Sequence, residues 1–334
     1  MSVSVQAPHT TTRPSGAQVP PMANIGSPPW QLADLDLARE RPIGRGANSQ
    51  VFLYTARQAG VQLAVKRIAR ATITNPQRVL DEKSILMSIA HPAIVRLFCT
   101  MKDDAYLYLA MEWCSGGCIT NQIERSGSGI PLESLRVYAY ELLSAIRYLH
   151  TTAGVLHRDI KPGNLLLTND GHLKLCDFGL SKRIVADARC TTLCGTEIYW
   201  APEMVRRHRD LSAEGAPFDD RVDIWAFGVT IYQMAFSEHP FQDASAEGVF
   251  NKILRGDLMF PEQCDATLEG FLRSAMTVDQ HDRPTACELA SHEFLKGLDD
   301  SVFRRRGPPF AHPDDTDDDE DAIDDADQAA FDDF

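Results

Sequence analysis

The chain has 334 residues, a length that fits two domains or one two-lobed domain with tails. Hydrophobic residues make up 44% and charged residues 24%, the ordinary balance of a globular protein with a buried core. The formal net charge is −14, but 12 acidic residues and no basic ones lie within 314–334. The rest of the chain is close to neutral, so it lacks the strongly basic face that a nucleic-acid-binding protein needs.

The cysteine pattern and the hydropathy bear on location. The eight cysteines include no C-x-x-C pair, no apolar run is long enough to span a membrane, and no secretory signal is recognised. We therefore expect reduced thiols in a cytoplasmic protein, with the nucleus as the alternative location. We also expect no membrane insertion and no nucleic-acid partner.

The first part of the chain is predicted to form strands and one helix. Residues 1–30 are rich in Pro, Ser and Thr with little hydrophobic periodicity, so we expect this segment to be disordered. A helix is predicted to begin after Asn75, with Val79, Leu86 and Ile89 on its apolar face. The predicted strands are 49–57, 61–68, 94–99 and 105–112.

The remainder is predicted to be mostly helical. From Pro131 onward apolar residues recur at helical spacing, and two short strands at 165–167 and 173–175 flank a turn. Further helices are predicted at 219–236, 246–255, 265–276 and 285–290. This order predicts an α+β fold class, with a small β-rich amino-terminal lobe that contains one helix and a larger helical carboxy-terminal lobe. A ligand cleft is expected between the lobes.

A glycine-rich turn joins the first strands. Gly44 and Gly46 let the backbone approach phosphate oxygens, whose charge the amide dipoles offset. A tight hairpin without a ligand would explain the same glycines, and Ser49 stands where a G-x-G-x-x-G motif has its third glycine. The residues of this turn that we assign to nucleotide binding are Ile43, Gly44, Arg45, Gly46, Ala47, Asn48, Ser49, Gln50 and Val51.

Lys66 places an ammonium group on an otherwise apolar strand. Such a charge needs a partner, because desolvation without one is costly. Glu82 on the following helix is the candidate partner, and the pair would orient Lys66 toward the α- and β-phosphates of a nucleotide. Taken singly, either residue could be ordinary surface charge.

Two motifs carry the strongest signal: His-Arg-Asp-Ile-Lys-Pro-Gly-Asn at 157–164 and Asp-Phe-Gly at 177–179. Ala-Pro-Glu at 201–203 and Asp-Arg-Pro at 282–284 follow them. With the glycine-rich turn and the lysine and glutamate, this order resembles that of the eukaryotic protein kinases over about residues 37–295. The resemblance implies a protein kinase-like bilobal fold, with an amino-terminal lobe at about 37–111, a hinge at 112–117, a carboxy-terminal lobe at 118–295 and an acidic tail at 296–334.

The resemblance also implies phosphoryl transfer from ATP, assisted by Mg²⁺. Asp159 would accept the proton of the substrate hydroxyl, Lys161 would counter γ-phosphate charge, and Thr196 would contact the catalytic aspartate. Asn164 and Asp177 would supply oxygen ligands to Mg²⁺. Lys161 at this place favours serine and threonine over tyrosine, so proteins that carry these hydroxyls are the expected substrates.

The adenine would lie against the hinge. By the same resemblance, Met111 is the gatekeeper, and backbone groups of Glu112 and Cys114 would bond the adenine edge. The apolar residues expected around the ring are Val51, Ala64 and Leu166.

The segment 190–196, Cys-Thr-Thr-Leu-Cys-Gly-Thr, resembles the activation segment of the AGC and calmodulin-dependent kinase groups. Thr192 aligns with the threonine that an upstream kinase phosphorylates there. The cations that match the phosphate pocket are Arg78, Arg158 and Lys182. The terminal sequence Phe331-Asp332-Asp333-Phe334 resembles the AGC motif that fills a groove on the amino-terminal lobe, but a solvated acidic tail with two incidental phenylalanines also explains it.

Several positions depart from the AGC pattern. Cys118, Gly163 and Gln233 stand where arginine-directed members carry glutamates, so a strong preference for arginine before the acceptor is not expected. Glu197 replaces the proline or small residue that usually follows the Gly195-Thr196 pair, so the pocket for the residue following the acceptor is expected to differ.

Two other functions remain open at this stage. A pseudokinase would keep the fold and act as a scaffold, and a tyrosine or dual-specificity kinase would use a different acceptor. The five residues that an active enzyme needs are all present, which favours the active serine/threonine enzyme: Lys66, Glu82, Asp159, Asn164 and Asp177.

Overall fold

The computed structural model describes residues 31–36, 39–46, 49–57, 60–184, 192–209 and 218–305. The segment 1–30 and the terminal motif 331–334 lie outside these residues, as do Ala47 and Asn48 of the glycine-rich turn. Within the described ranges, no helix combines the length and apolar character that crossing a bilayer requires.

The amino-terminal lobe is a five-stranded antiparallel sheet with the strand order β1-β2-β3-β5-β4. Val51 lies opposite Lys66 across β2 and β3, so the lysine sits beside the glycine-rich turn. The strands are β1 (Arg41–Gly46), β2 (Ser49–Thr55), β3 (Gln62–Ala69), β4 (Leu97–Lys102) and β5 (Tyr106–Glu112).

Helix α1 (Pro76–Ser88) follows β3 and carries Glu82 toward the sheet. Its start is the predicted one, because the Asn75 side chain accepts a hydrogen bond from the Arg78 amide at 3.3 Å and Pro76 occupies the first turn. Glu82, Ile85 and Leu86 form the buried face, so the helix can bring one carboxylate inside the lobe.

The prediction of a strand at 94–99 was wrong about where the strand begins, since β4 begins at Leu97. Ile94 forms a bridge to Leu175, and the Val95 amide donates to the Leu175 carbonyl at 3.0 Å. Ile94 is buried in the core that continues into the carboxy-terminal lobe and does not lie in the sheet. The loop after α1 is therefore bonded to the second lobe.

The carboxy-terminal lobe is helical, which confirms the α+β bilobal class. Two short strand pairs flank the loop 157–164, which we call the catalytic loop: β6 (Val155–Leu156) pairs with β9 (Lys182–Arg183), and β7 (Leu165–Leu167) pairs with β8 (Leu173–Leu175). The helices are α2 (Ile119–Ser126), α3 (Leu132–Tyr148), α4 (Pro202–Arg209), α5 (Arg221–Phe236), α6 (Ala246–Arg255), α7 (Ala266–Ala275) and α8 (Ala286–Leu289).

Helix α5 is the central element of this lobe. Most of its residues are buried, including Trp225 and Phe227, which are fully buried. A helix that is apolar on all sides must be enclosed by the others, and α5 packs against both α3 and α7. Its one buried carboxylate, Asp223, is therefore held rigidly beneath the catalytic loop.

Candidate active site

The first part of the site is a triad of charges between the lobes. Lys66 Nζ lies 2.7 Å from Glu82 Oε1 and 3.3 Å from Asp177 Oδ1, so the expected lysine–glutamate pair is present and is joined by a second carboxylate. Burial alone would lower the pKa of Lys66, but the Asp177 and Glu82 carboxylates outweigh it and raise that pKa. The lysine is therefore a permanent cation in the cleft.

The pKa of the Asp177 carboxyl shifts in the opposite direction. Burial would raise the pKa of its carboxyl, but the Lys66 ammonium and the Gly179 amide, which donates at 3.2 Å, outweigh it and hold the pKa below its usual value. The carboxylate is ionised at neutral pH. Its backbone has a φ of 58°, a conformation that costs a non-glycine residue energy and that often marks a functional site.

The catalytic loop forms the second part of the site. Lys161 Nζ lies 3.4 Å from Asp159 Oδ2 and donates to the Thr196 hydroxyl at 2.8 Å. That hydroxyl in turn donates to Asp159 Oδ1 at 3.2 Å. Asn164 Nδ2 donates to the carboxylate and to the backbone carbonyl of Asp159, each at 2.8 Å. The structure thus brings the three residues predicted for catalysis in this loop and segment, Asp159, Lys161 and Thr196, into contact with Asn164, which was predicted as a Mg²⁺ ligand.

A buried carboxylate fixes this loop from below. Asp223 accepts hydrogen bonds from the amides of His157 and Arg158, both at 2.8 Å, and contacts His150 Nε2 at 2.8 Å. Arg158 has a φ of 69°, and these bonds hold the unfavourable backbone in place. The role of Asp223 was not predicted from the sequence.

Two oxygens of the site suit a hard cation. Because the Asn164 amide nitrogen is bonded to Asp159, its Oδ1 atom faces away from that residue. Asp177 uses Oδ1 for Lys66 and Gly179, which leaves Oδ2 for another ligand. Carboxylate and amide oxygens are the donors that Mg²⁺ prefers, so the residues present fit the expected ion.

The strand pairing places the residues that were assigned to adenine. Ala64 pairs with Met111 across β3 and β5, and Leu166 forms a bridge to Cys118 at the beginning of α2. The Glu112 amide already donates to the Arg96 carbonyl at 2.9 Å, so the predicted contact of Glu112 with adenine would fall to its backbone carbonyl. That amide is therefore not available to an adenine edge.

Cys114 at the hinge is a buried thiol. Burial, with a smaller contribution from Glu112, raises its pKa to about 12, so it stays protonated at neutral pH. A protonated buried thiol acts as a small apolar group.

The described strands on either side of the glycine-rich turn pair in antiparallel register from Gly44 to Val51. Gly44 pairs with Val51, Arg45 with Gln50, and Gly46 with Ser49. Ile43 lies at a break in the register between Pro42 and Gly44. The turn therefore projects beyond Lys66 on β3, where a phosphate chain would pass.

The cations assigned to the phosphate pocket converge on the residues after Asp177. Arg78 Nε donates to the Gly179 carbonyl at 2.6 Å, and Arg158 Nε donates to the Leu180 carbonyl at 2.7 Å. Lys182 is exposed on β9, and Thr192 is exposed where the described chain resumes. One arginine comes from each lobe, so a group that bound both would join α1 to the catalytic loop.

Comparison with known proteins places this site in a family. The protein kinase domain family matches residues 37–295. The chain is 33% identical over 290 residues to 3-phosphoinositide-dependent protein kinase 1 of Arabidopsis thaliana. This alignment covers 81% of the chain and 57% of that relative. It is 32% identical over 291 residues to the human cAMP-dependent protein kinase catalytic subunit PRKX. This alignment covers 84% of the chain and 77% of that relative.

A third relative is covered over a smaller share of its length. The cAMP-dependent protein kinase catalytic subunit of Dictyostelium discoideum is 32% identical over 275 residues, which is 80% of this chain and 41% of that protein. The chain thus spans about half the length of several curated relatives. From the family match and the arrangement of the site, the chain belongs to the protein kinase family and is AGC-like.

Proposed function

We propose that the chain is a serine/threonine protein kinase that transfers the γ-phosphate of ATP to hydroxyl groups of protein substrates. One observation carries this proposal: a continuous path of contacts joins the two halves of the site. Lys66 contacts Asp177, the adjacent Cys176 amide donates to the Asn164 carbonyl at 2.9 Å, and Asn164 donates to Asp159. Lys66, which would hold the nucleotide phosphates, and Asp159, the proposed proton acceptor, are therefore joined by a continuous chain of contacts.

Each residue has a defined task in this proposal. Lys66 holds the α- and β-phosphates, and Asp159 orients the acceptor hydroxyl and takes up its proton. Lys161, 3.4 Å from that carboxylate, offsets the charge of the transferred group. A Mg²⁺ ion held by Asn164 and Asp177 would neutralise phosphate charge. Catalysis then depends on positioning and electrostatics and not on a covalent intermediate.

The residues near the acceptor indicate how substrates are recognised. Cys118 Sγ lies 3.4 Å from the Pro162 carbonyl, and Gln233 accepts a hydrogen bond from the Tyr199 hydroxyl at 2.5 Å. With Gly163, these positions are uncharged. They support the proposal that arginine before the acceptor is not strongly preferred.

The proposal is tested with a degenerate peptide library in which serine, threonine or tyrosine is the fixed acceptor. Purified protein with ATP and Mg²⁺ is expected to phosphorylate the serine and threonine series. Phosphorylation of tyrosine alone would contradict the proposed specificity, and nucleotide binding without transfer to any series would favour a pseudokinase. The cytoplasmic or nuclear location stays a prediction.

We further propose that phosphorylation of Thr192 by an upstream kinase activates the enzyme. The added phosphate can form roughly 1–3 charge-assisted hydrogen bonds with Arg78, Arg158 and Lys182, which would tie α1 to the catalytic loop. The Thr192→Ala variant is expected to be about tenfold less active than the enzyme phosphorylated at Thr192. The control is the neighbouring Thr191→Ala, measured in the same peptide assay. Full activity of the Thr192→Ala variant would rule out this regulation.

A further inference from the structure

The residues after Thr196 form a short turn at the edge of the catalytic centre. Thr196 contacts both Lys161 and Asp159 through its hydroxyl. The turn Glu197–Tyr199 begins at the next residue. Consecutive Cα atoms are about 3.8 Å apart, so the Glu197 backbone lies that close to Thr196, whose hydroxyl contacts Asp159.

The backbone of this turn is firmly held. The Tyr199 amide donates to the Thr196 carbonyl and the Trp200 amide to the Glu197 carbonyl, both at 3.0 Å. The Tyr199 hydroxyl donates to Gln233, and its ring lies 5.7 Å from the His239 ring in an edge-to-face contact. Trp200 Nε1 donates to the Cys194 carbonyl at 2.8 Å. Glu197 therefore has a fixed position relative to Asp159.

The contacts that hold the turn are uncharged. Gln233 is a neutral amide, and burial lowers the pKa of His239 to about 4, so that imidazole is also neutral at pH 7. None of these contacts supplies a cation to Glu197.

The carboxylate of Glu197 is exposed and has no hydrogen bond or ion pair with any residue of the described ranges. In the catalytic loop, Lys161 contacts Asp159 at 3.4 Å and Arg158 Nε donates to the Leu180 carbonyl at 2.7 Å, so neither cation pairs with Glu197. Glu197 therefore adds an exposed negative charge beside the acceptor position. A basic side chain on the substrate can offset it, whereas an acidic one would be repelled.

We propose that Glu197 is a specificity-determining residue that selects lysine or arginine immediately beside the acceptor serine or threonine. This inference rests on the proposed kinase activity and names part of its substrate class. The carboxylate acts on binding of the peptide and takes no part in phosphoryl transfer. Its effect therefore belongs in KM more than in kcat.

The test uses peptides that differ only at the residue directly before or directly after a serine acceptor, with Arg, Gln or Glu at that position. The unchanged enzyme is expected to prefer the Arg peptide over the Glu peptide by about fivefold in kcat/KM, mainly through KM, on one of the two sides. The preference is expected to shrink as salt is raised, because exposed charges are screened.

Two variants and a control complete the experiment. Glu197→Gln is expected to remove most of the preference, and Glu197→Lys to reverse it in favour of the Glu peptide. Phosphorylation of the Gln peptide shows that each variant is folded and active. Asp104→Asn removes one exposed carboxylate from the turn between β4 and β5 and is expected to leave the preference unchanged.

The possible results separate the two proposals. Equal phosphorylation of all peptides by the unchanged enzyme, or a preference that survives in Glu197→Gln, would overturn the role of Glu197 and leave the kinase assignment intact. The absence of phosphorylation of every peptide would instead count against the proposed kinase function.

Discussion

Replacing Asp159 with asparagine is expected to lower kcat for peptide phosphorylation by about 10²–10⁴-fold while nucleotide binding is retained. The side chains have nearly the same shape, so Lys161, Asn164 and Thr196 can keep their positions around residue 159. An amide cannot take up the proton of the acceptor hydroxyl. The loss should therefore appear in the transfer step and not in the binding of ATP.

The measurement is kcat with a serine peptide together with nucleotide affinity from fluorescence or calorimetry. Asp104→Asn, in the distant turn between β4 and β5, is the matched control and should retain normal kcat. A variant with asparagine at 159 that bound ATP and kept more than half of the normal kcat would show that Asp159 is not the proton acceptor.

The largest expected effect on stability comes from the buried pair Glu203 and Arg283. Arg283 donates to both carboxylate oxygens of Glu203, at 2.8 and 3.0 Å, and its side chain is 0% exposed. The same guanidinium donates to the carbonyls of Thr277 and Arg221, both at 2.9 Å, and lies 5.1 Å from the Trp225 ring centre. The pair joins α4, just after the activation segment, to the loop that precedes α8.

Glu203→Ala is expected to lower the free energy of unfolding by about 3–5 kcal/mol, because it leaves the Arg283 charge buried without its carboxylate partner. Urea unfolding followed by circular dichroism measures this as a lower midpoint. The control is Glu269→Ala, which removes an ion pair of similar length, 2.8 Å, to Arg273 on the surface of α7.

The Glu269–Arg273 side chains are 36% and 52% exposed, and such a pair contributes only about 0.3–0.5 kcal/mol. The difference between the two variants isolates the cost of an unpaired buried charge. Equal destabilisation by the two substitutions would contradict this account of the Glu203–Arg283 pair.

The sequence was most informative where a chemical need is tied to one residue type. A lysine on an apolar strand predicted a carboxylate partner, and Glu82 meets it at 2.7 Å. Helix α6 has the predicted bounds, since Ser245 caps it and Gly256 ends it in a left-handed conformation. Local signals of this kind do not depend on the rest of the fold.

Interactions between distant segments could not be predicted in the same way. Ile94 has the apolar, β-branched character of a strand residue, but burial against β8 decides where it lies. Helix α2 was not predicted, because its eight residues follow the hinge without a side-chain cap. The contact of Asp223 with the catalytic loop joins positions 65 and 66 residues apart, which no local pattern reveals.

The central claim is that Lys66, Asp177 and Asp159 act together on one bound nucleotide. It is tested most directly by transfer of label from γ-labelled ATP to a serine peptide, with Mg²⁺, by the unchanged protein and by Lys66→Met. With the unchanged protein we expect label on the serine hydroxyl. With Lys66→Met we expect the rate of labelling to fall by at least about a hundredfold, because no ammonium group would position the phosphates of the bound nucleotide. Absence of labelling by the unchanged protein, or equal labelling by both, would contradict the account.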